Sequence, residues 1–475
     1  MSEFISKSRF RSQFLLTKET KFSFEWDKVA INDFSLYYHH DLIFTRSAGD
    51  DKELIMLGSM YDWEVPAHTN QQLLDSLCQT ESFESFLKQL SKYLGEFVII
   101  FNEAGKLILI HDATGQHQIF YDSSFTTFGS QPKLLCEVIE PQPHTDTEII
   151  DFYSSKRFYA DKLFISDTTH LGNIKHLLAN HYIDIHDKAV VRYYPSEPMT
   201  PVPIKDAVPK ICQMLKGYIK AIALRRKIAM AFTGGIDSRV LFFSSLDEEC
   251  RYYVYKWSYM SDDFYDLTIP KKVAEMNSRH FEVIPLTDTF EDYNDSVDFP
   301  REFPKPTKYF KDRIYLNGNI SEMTRNMYGS LKKVTALDLS LFKGYGRLRP
   351  AISMYEKWLK DADSIKSKGY NVLNIFHWEQ GLGIWVAKGK IEDNAAGMDV
   401  VSPFNSRDLL TLMLSVPSKY RNFYDNKLYY SMLLELSPNA LALPINPCFA
   451  SYAKKYLTKL GVFNRLKHLS LKSRC

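Results

Sequence analysis

Cysteine is scarce and scattered. The six residues, Cys78, Cys136, Cys212, Cys250, Cys448 and Cys475, lie far apart with no paired spacing, which argues against a disulfide framework and a zinc site and fits a reducing, cytoplasmic setting. No apolar run reaches the length of a membrane span, and Met1-Ser-Glu-Phe-Ile-Ser-Lys-Ser8 lacks the apolar core of a secretory signal. An excess of one charge is missing too: 59 lysines and arginines against 57 acids leave +2 at pH 7, so composition gives no footprint for nucleic acid. The 13 histidines show no metal-ligand spacing, and there is no internal repeat. Apolar residues are plentiful, 45% of 475, enough to bury large cores in two or three domains of a globular protein.

Charge becomes uneven at the end. Residues 451–475 hold Lys454, Lys455, Lys459, Arg465, Lys467, Lys472 and Arg474 and no acid, interleaved with Leu457, Leu460, Phe463, Leu466 and Leu469. A solvated basic helix face is one reading. Peripheral contact with an anionic membrane, or a supply of cations to a polyphosphate site, are the functional ones.

Pro195, Pro198, Pro201 and Pro203 crowd a stretch that can be neither helix nor central strand. They mark a linker, 191–206, between a first domain, 1–190, and a second, 207–475. In the first, 94–101 and 106–111 flank the turn at Asn102-Glu-Ala-Gly105 and read as paired strands of a β-rich layer, with helices over 71–78 and 83–94 packed on it. In the second, Val208, Ile211, Leu215, Tyr218 and Ile222 recur at helical spacing, and a strand over 227–232 follows. A helix from Asp237, a strand 251–256, a helix near 266–277 and a strand 280–286 then alternate as in a doubly wound parallel sheet. The Gly-rich, polar residues 317–350 are expected to form loops over that sheet.

The strand 227–232 runs into Thr233-Gly-Gly-Ile-Asp-Ser238. Consecutive glycines let the backbone approach a ligand closely, so the amides of Gly234, Gly235 and Ile236 can point at phosphate oxygens, joined by the hydroxyls of Thr233 and Ser238 and the N-terminus of the next helix. Asp237 would be repelled by a polyphosphate unless a divalent cation lay between them, which points to Mg2+. The span is too short for a Walker loop and lacks its lysine. An ordinary Gly-Gly turn is the bland alternative.

The loop resembles the pyrophosphate-binding Ser-Gly-Gly-x-Asp-Ser loop of asparagine synthetase-type enzymes, with Thr233 in place of the first Ser. Leu54-Ile-Met-Leu-Gly58, Leu94-Gly-Glu-Phe97 and His111-Asp-Ala-Thr-Gly-Gln-His-Gln-Ile-Phe-Tyr121 are similar in order and spacing to strands of that family's first domain. The resemblance implies an N-terminal Ntn-hydrolase-like, β-rich sandwich and a C-terminal doubly wound ATP-pyrophosphatase domain. Glutaminase members expose an N-terminal cysteine; here the position holds Ser2, so the first domain looks like a relic without that nucleophile.

Leu316-Asn-Gly-Asn-Ile-Ser-Glu322 resembles the family's second loop, which makes Glu322 a metal ligand beside Asp237 and lets Gly318 pass close to the nucleotide; a surface turn with a capping acid is the alternative. Arg325 could reach a phosphate or form a surface ion pair. Met398-Asp-Val-Val-Ser-Pro-Phe404 is similar to the Glu-x-Arg-x-Pro-Phe-Leu-Asp segment. Asp399 aligns with its acid, Val401 departs from its arginine, and Asn405 and Ser406 replace Leu-Asp. Asp399 then either accepts a proton from an attacking amine or pairs with a cation. The family's late charge-stabilising lysine falls on Lys454 or Lys455. Asp266 matches a family Asp and is expected to cap its helix, and the adenine slot is placed at Tyr255 and Lys256.

The reading that follows is an ATP- and Mg2+-dependent, AMP-forming carboxylate–amine ligase without glutaminase activity, in the branch of β-lactam synthetases and lasso-peptide cyclases. Its substrates would be small-molecule or peptide carboxylates and amines, and its oligomeric state stays open. The rivals are an amidotransferase fed by free ammonia or a separate glutaminase, in a surface-polysaccharide or secondary-product pathway, and a non-catalytic nucleotide-binding scaffold.

Overall fold

The computed structural model describes residues 9–459 apart from 21, 50, 287–295, 301–308, 311, 330, 332 and 448. Ser2, Cys448, Cys475 and the basic residues beyond 459 lie outside the described residues, and with them most of the tail for which a membrane contact was considered.

The chain is a mixed α/β protein with three sheets. The strands β1 (Phe14–Thr17), β2 (Asp27–Ile31), β3 (Phe34–Tyr38), β4 (Phe44–Ala48), β5 (Lys52–Tyr61), β6 (Leu94–Glu103), β7 (Lys106–His111), β8 (Phe120–Asp122), β9 (Thr127–Gly129), β10 (Ile174–His176), β11 (His181–Asp184) and β12 (Ala189–Arg192) build two six-stranded antiparallel sheets. Their orders are β10-β8-β9-β1-β3-β2 and β12-β11-β7-β6-β5-β4.

Why β6 reads as an unbroken apolar run becomes clear from its two faces. Val98 and Ile100 pack against Phe14, Leu16 and Leu36 of the facing sheet. Phe97, Ile99 and Phe101 pack instead against Leu73, Leu77 and Phe86 of the helices Asn70–Cys78 and Phe83–Leu90. Successive side chains point to opposite faces, so both parities must be apolar.

The third sheet holds β13 (Lys227–Ala231), β14 (Cys250–Lys256), β15 (Phe281–Pro285), β16 (Arg313–Leu316) and β17 (Val400–Val401), all parallel, in the order β15-β14-β13-β16-β17. Chain order reverses between β13 and β16. Loops leaving the carboxyl ends of those two strands therefore diverge and leave a crevice, the usual ligand position in an open α/β sheet. Ile228 and Met230 pack on the helices Ile204–Ala223 and Ile236–Ser244, while Ala229 meets Tyr253, Tyr315 and Met398 on the other face. That two-sided burial explains the strand's apolar sequence.

One local expectation is corrected. Residues 317–350 are not only loops: Thr335 caps a helix over Ala336–Phe342 with a reciprocal bond to Asp338, and another begins at Arg349 with Pro350 in its first turn. In the proline-rich stretch the Met199 amide bonds the Lys368 carbonyl and the Val202 amide the Ser415 carbonyl.

Polar bonds bolt the sandwich to the parallel-sheet half. The Tyr218 hydroxyl donates to the Lys92 carbonyl at 2.6 Å, Trp378 Nε1 to the Ala113 carbonyl at 2.8 Å, and Arg225 to the Met60 carbonyl at 2.8 Å.

Candidate functional site

The turn after β13 folds tightly on itself. Ser238 Oγ lies 3.1 Å from Thr233 Oγ1 and accepts from the Thr233 amide at 3.1 Å. The Gly235 amide donates to Thr233 Oγ1 at 3.3 Å. The Gly234 amide donates to Asp266 Oδ1 at 2.8 Å.

Two of the three amides expected to face phosphate are thus already satisfied within the protein. Asp266 does not cap its own helix, Tyr265–Met276, but reaches back to the loop. Burial raises its carboxyl above the ordinary value, and the Gly234 amide works against that rise. The amides at the start of the helix Ile236–Ser244, which has Gly235 as its N-cap and no side-chain cap, are the donors left for an anion.

The second loop lies directly against the first. A Cβ on Gly318 would sit 2.9 Å from Asp237 Cβ and 3.2 Å from the Ser238 nitrogen, so only glycine permits this approach. The sequence expected Gly318 to make room for a nucleotide; the atoms it makes room for here are those of the neighbouring loop. Ile320, buried and β-branched, takes φ +77° between Gly318 and Glu322, a strained conformation of the kind that concentrates at functional loops.

Asp237 and Glu322 come together at this junction. Ser321 Oγ donates to Asp237 Oδ1 at 2.6 Å, and Arg325 Nη2 pairs with Asp237 Oδ2 at 2.9 Å. The Arg325 guanidinium also lies over the Phe423 ring at 4.8 Å. Burial raises the Glu322 carboxyl; its own backbone amide and Arg325 oppose this, and the Asp237 charge adds to it. Two carboxylates with one cation between them fit a hard divalent ion in donor type. Both Asp237 oxygens are engaged, however, so Arg325 must turn away before Asp237 and Glu322 could share Mg2+.

Tyr255 and Lys256 end β14, and the register Ala231↔Tyr253 carries them past β13 to the level of the Thr233 turn. The Lys256 ammonium is paired with Asp262.

Asp399 falls elsewhere. It precedes β17, whose register Tyr315↔Val400 sets it level with Ile314 and hence Ile228, about 10 Å below the end of β13 at strand rise. Arg226 lies 3.1 Å and Lys390 3.4 Å from its carboxylate. Burial opposes ionisation, but those two cations outweigh it and hold the carboxyl below its ordinary value. Of the two roles open to Asp399, cation pairing is the one these contacts display.

The late lysines belong to the helix Phe449–Lys459. Lys454 is exposed, its ammonium 5.5 Å above the Tyr424 ring. Lys455 donates to the Tyr430 hydroxyl at 3.1 Å and lies 3.9 Å from Asp425.

Sequence reasoning missed three residues. Arg239 is fully buried and donates to the Leu443 carbonyl at 2.6 Å and the Pro444 carbonyl at 2.8 Å. It fixes the segment whose Asn446 amide bonds the Gly234 carbonyl at 3.1 Å. A lone arginine before Val240-Leu-Phe-Phe243 was the available signal. Lys390 and Glu96 meet as a buried hydrogen-bonded pair, one from the helix Ala387–Ala395 and one from β6, and nothing in either local sequence reveals the other.

Among the described residues one His/carboxylate group has metal-like spacing, His39, His40 and Asp41. The Asp41 amide donates to His39 Nδ1 at 3.1 Å and Arg11 pairs with Asp41 at 2.7 Å, so these ligand atoms are already committed.

No family model matches the sequence, and no curated protein matches it. Among solved structures the protein is similar to glutamine phosphoribosylpyrophosphate (PRPP) amidotransferase from B. subtilis complexed with ADP and GMP, at 7% identity over 66% of this chain and 70% of that one, TM-score 0.25. It is also similar to the allosteric regulatory enzyme of purine biosynthesis, at 9% identity over 54% of this chain and 62% of that one, TM-score 0.23. The chain therefore spans less than two thirds of the second structure, and TM-scores this low establish no shared fold.

Proposed function

We propose that the protein is an ATP- and Mg2+-dependent ligase that adenylates a carboxylate, releases pyrophosphate and joins the acyl group to an amine. The observation that supports this best is the meeting of two short loops at the sheet's reversal point, with the open helix start at Ile236 beside the acid pair Asp237 and Glu322. An anion site with adjoining carboxylates suits a metal-bound polyphosphate. Asp237 and Glu322 would hold Mg2+, which would neutralise the departing pyrophosphate. Tyr255 and Lys256 would border the adenine, and Ser238 and Thr233 would keep the turn in shape. The protein would work in the cytoplasm on small-molecule or peptide acids and amines.

The test is to incubate the full chain with MgATP and a panel of carboxylic acids and to identify the nucleotide product. AMP with pyrophosphate supports the reading; ADP with phosphate sinks it. With Ser2 at the position of the glutaminase cysteine, glutamine should release no glutamate, and Ser2→Ala should leave amide formation as it was.

A second reading, a nucleotide-binding scaffold, draws on the engagement of both Asp237 oxygens by Ser321 and Arg325. Saturable MgATP binding without turnover on any acid would favour it.

A further inference from the structure

A cavity of about 160 Å³ opens beside the loop that follows β16. Asn317, Asn319 and Ile320 line it from that loop, Ser402 from the end of β17, Lys390 from the helix Ala387–Ala395, and Glu96 from the sandwich. Glu96 and Lys390 also line a second cavity of about 210 Å³ that reaches Asp399 and Arg226. The acid of the first half thus stands in the wall of a space that touches the same loop as Gly318 and Glu322.

Its placement is built, not incidental. Glu96 shares the parity of Val98 and Ile100, so its side chain leaves β6 on the inner face, at the strand's end where the sandwich core stops. The preceding residue is clamped: the Gly95 amide donates to the Asn405 carbonyl at 3.3 Å, and Asn405 Nδ2 donates to the Gly95 carbonyl at 2.6 Å. The same Asn405 side chain holds Asp112 at 3.0 Å and Thr114 at 2.9 Å. A Cβ on Gly95 would fall 2.1 Å from the Ser59 carbonyl oxygen, so no other residue fits there. The Lys390 ammonium is anchored on the Val400 carbonyl at 2.5 Å and touches both Glu96 and Asp399.

We propose that Glu96, carried by the N-terminal sandwich, accepts the proton shed by the amine substrate in this cavity. The inference rests on the ligase reading above. The ammonium form first gives a proton to Glu96, which passes it to water; the freed lone pair forms the C–N bond, the bond from the acyl carbon to the phosphate oxygen breaks with its electrons leaving on AMP, and the second proton leaves the new amide nitrogen to water. Asp399 is unsuited to this task because Lys390 and Arg226 hold it ionised and weakly basic. Glu96 is the opposite case: burial pushes its carboxyl up to about 8, against the pull of Lys390, with Asp112 and Asp399 adding to the rise. Arg11, Asp41, Tyr61, His117, Arg226 and Arg313, with Asp393 in the first cavity, are the other charged or titratable groups along its cavity walls. A group titrating near the working pH is the most effective base.

The experiment compares two amines on the full chain, using the acid that supports pyrophosphate exchange: ammonia, which must lose a proton to react, and weakly basic hydroxylamine, which is already unprotonated. In Glu96→Gln the ammonia-dependent rate should fall about 100-fold, the ratio of the ammonia to the hydroxylamine rate should drop at least about tenfold, and the limb near pH 8 in the ammonia profile should vanish. Glu96→Asp, which keeps a carboxylate set back by one methylene, should restore the limb and part of the ratio. A merely structural glutamate would lower both rates together and leave the limb in place, and that result overturns the proposal. Absence of pyrophosphate exchange with every acid in the wild-type protein instead removes the ligase reading beneath it.

Discussion

The Asp266 carboxylate accepts the Gly234 amide hydrogen at 2.8 Å, tying the helix after β14 to the turn after β13. The neighbouring βα units of β13 and β14 are thereby locked together. Asp266→Ala removes the acceptor and leaves a half-buried amide unpaired, so unfolding by denaturant should show a loss of about 1–2 kcal/mol. Asp266→Asn keeps an acceptor oxygen and should lose less. An unchanged midpoint in the alanine protein would show that the bond does not hold the turn.

Asp237→Asn should abolish ATP cleavage, since it removes the carboxylate nearest Glu322. It also removes the charge that Arg325 pairs with. That guanidinium is mostly buried, and its Nε has no partner among the described residues, so a stability cost of about 1–3 kcal/mol should accompany the loss. Wild-type turnover under limiting Mg2+ would show that Asp237 is no metal ligand.

Gly318→Ala pushes a methyl to 2.9 Å from Asp237 Cβ, a contact neither backbone can relieve by a side-chain rotation. The two loops should part, with a stability loss of about 1–3 kcal/mol and weaker binding of MgATP in calorimetry. Equal affinity in the alanine protein would mean that the loops need not touch to bind.

The alternation of strand and helix was readable where a strand of the parallel sheet is buried on both faces and announces itself as a short apolar run, as in Ile228-Ala-Met-Ala231. The turn at 233–238 was readable for the same local reason, two glycines and an acid at a strand end. What could not be read was pairing across the chain. The distance in sequence between Glu96 and Lys390, or between Gly234 and Asp266, hides the bonds that decide which amides and acids stay free. Asp399 illustrates this: its motif left a base and a cation partner equally open, and the partners Arg226 and Lys390 come from two other elements. The helices at Ala336–Phe342 and Arg349–Trp358 were missed because glycine and polar content outweighed the cap at Thr335 and the proline at 350.

Burial of Glu96 makes stability depend on pH. Its carboxyl rises from an ordinary 4.5 to about 8 in the folded protein, so the folded state binds a proton that the unfolded state has released. The contribution is fully present below the ordinary value and is lost as pH climbs to about 8, for a fall of about 2–4 kcal/mol. Chemical unfolding between pH 5 and 8 should show that decline in the wild-type protein and a flatter profile in Glu96→Gln. Parallel profiles would mean that Lys390 keeps Glu96 ionised throughout.

Lys454 and Lys455 separate a surface charge from a placed one. Lys454 is exposed over the Tyr424 ring, so Lys454→Met should change stability and ligase rate by well under about 1 kcal/mol. Lys455 bonds the Tyr430 hydroxyl and approaches Asp425, and its ammonium lies 4.4 Å from the Tyr430 ring centre. Tyr430 belongs to the helix Lys427–Leu436 that packs beside the helix Ile236–Ser244, so Lys455→Met should loosen the seat of the segment leading to Asn446 and its bond to Gly234. If Lys455 acts only through that seat, KM for ATP should rise while kcat holds. If its ammonium reaches developing charge, kcat should fall by the equivalent of about 3 kcal/mol with KM little changed. Steady-state kinetics on the two methionine proteins decide between these, and a Lys454→Met protein more impaired than Lys455→Met would refute the placement of both.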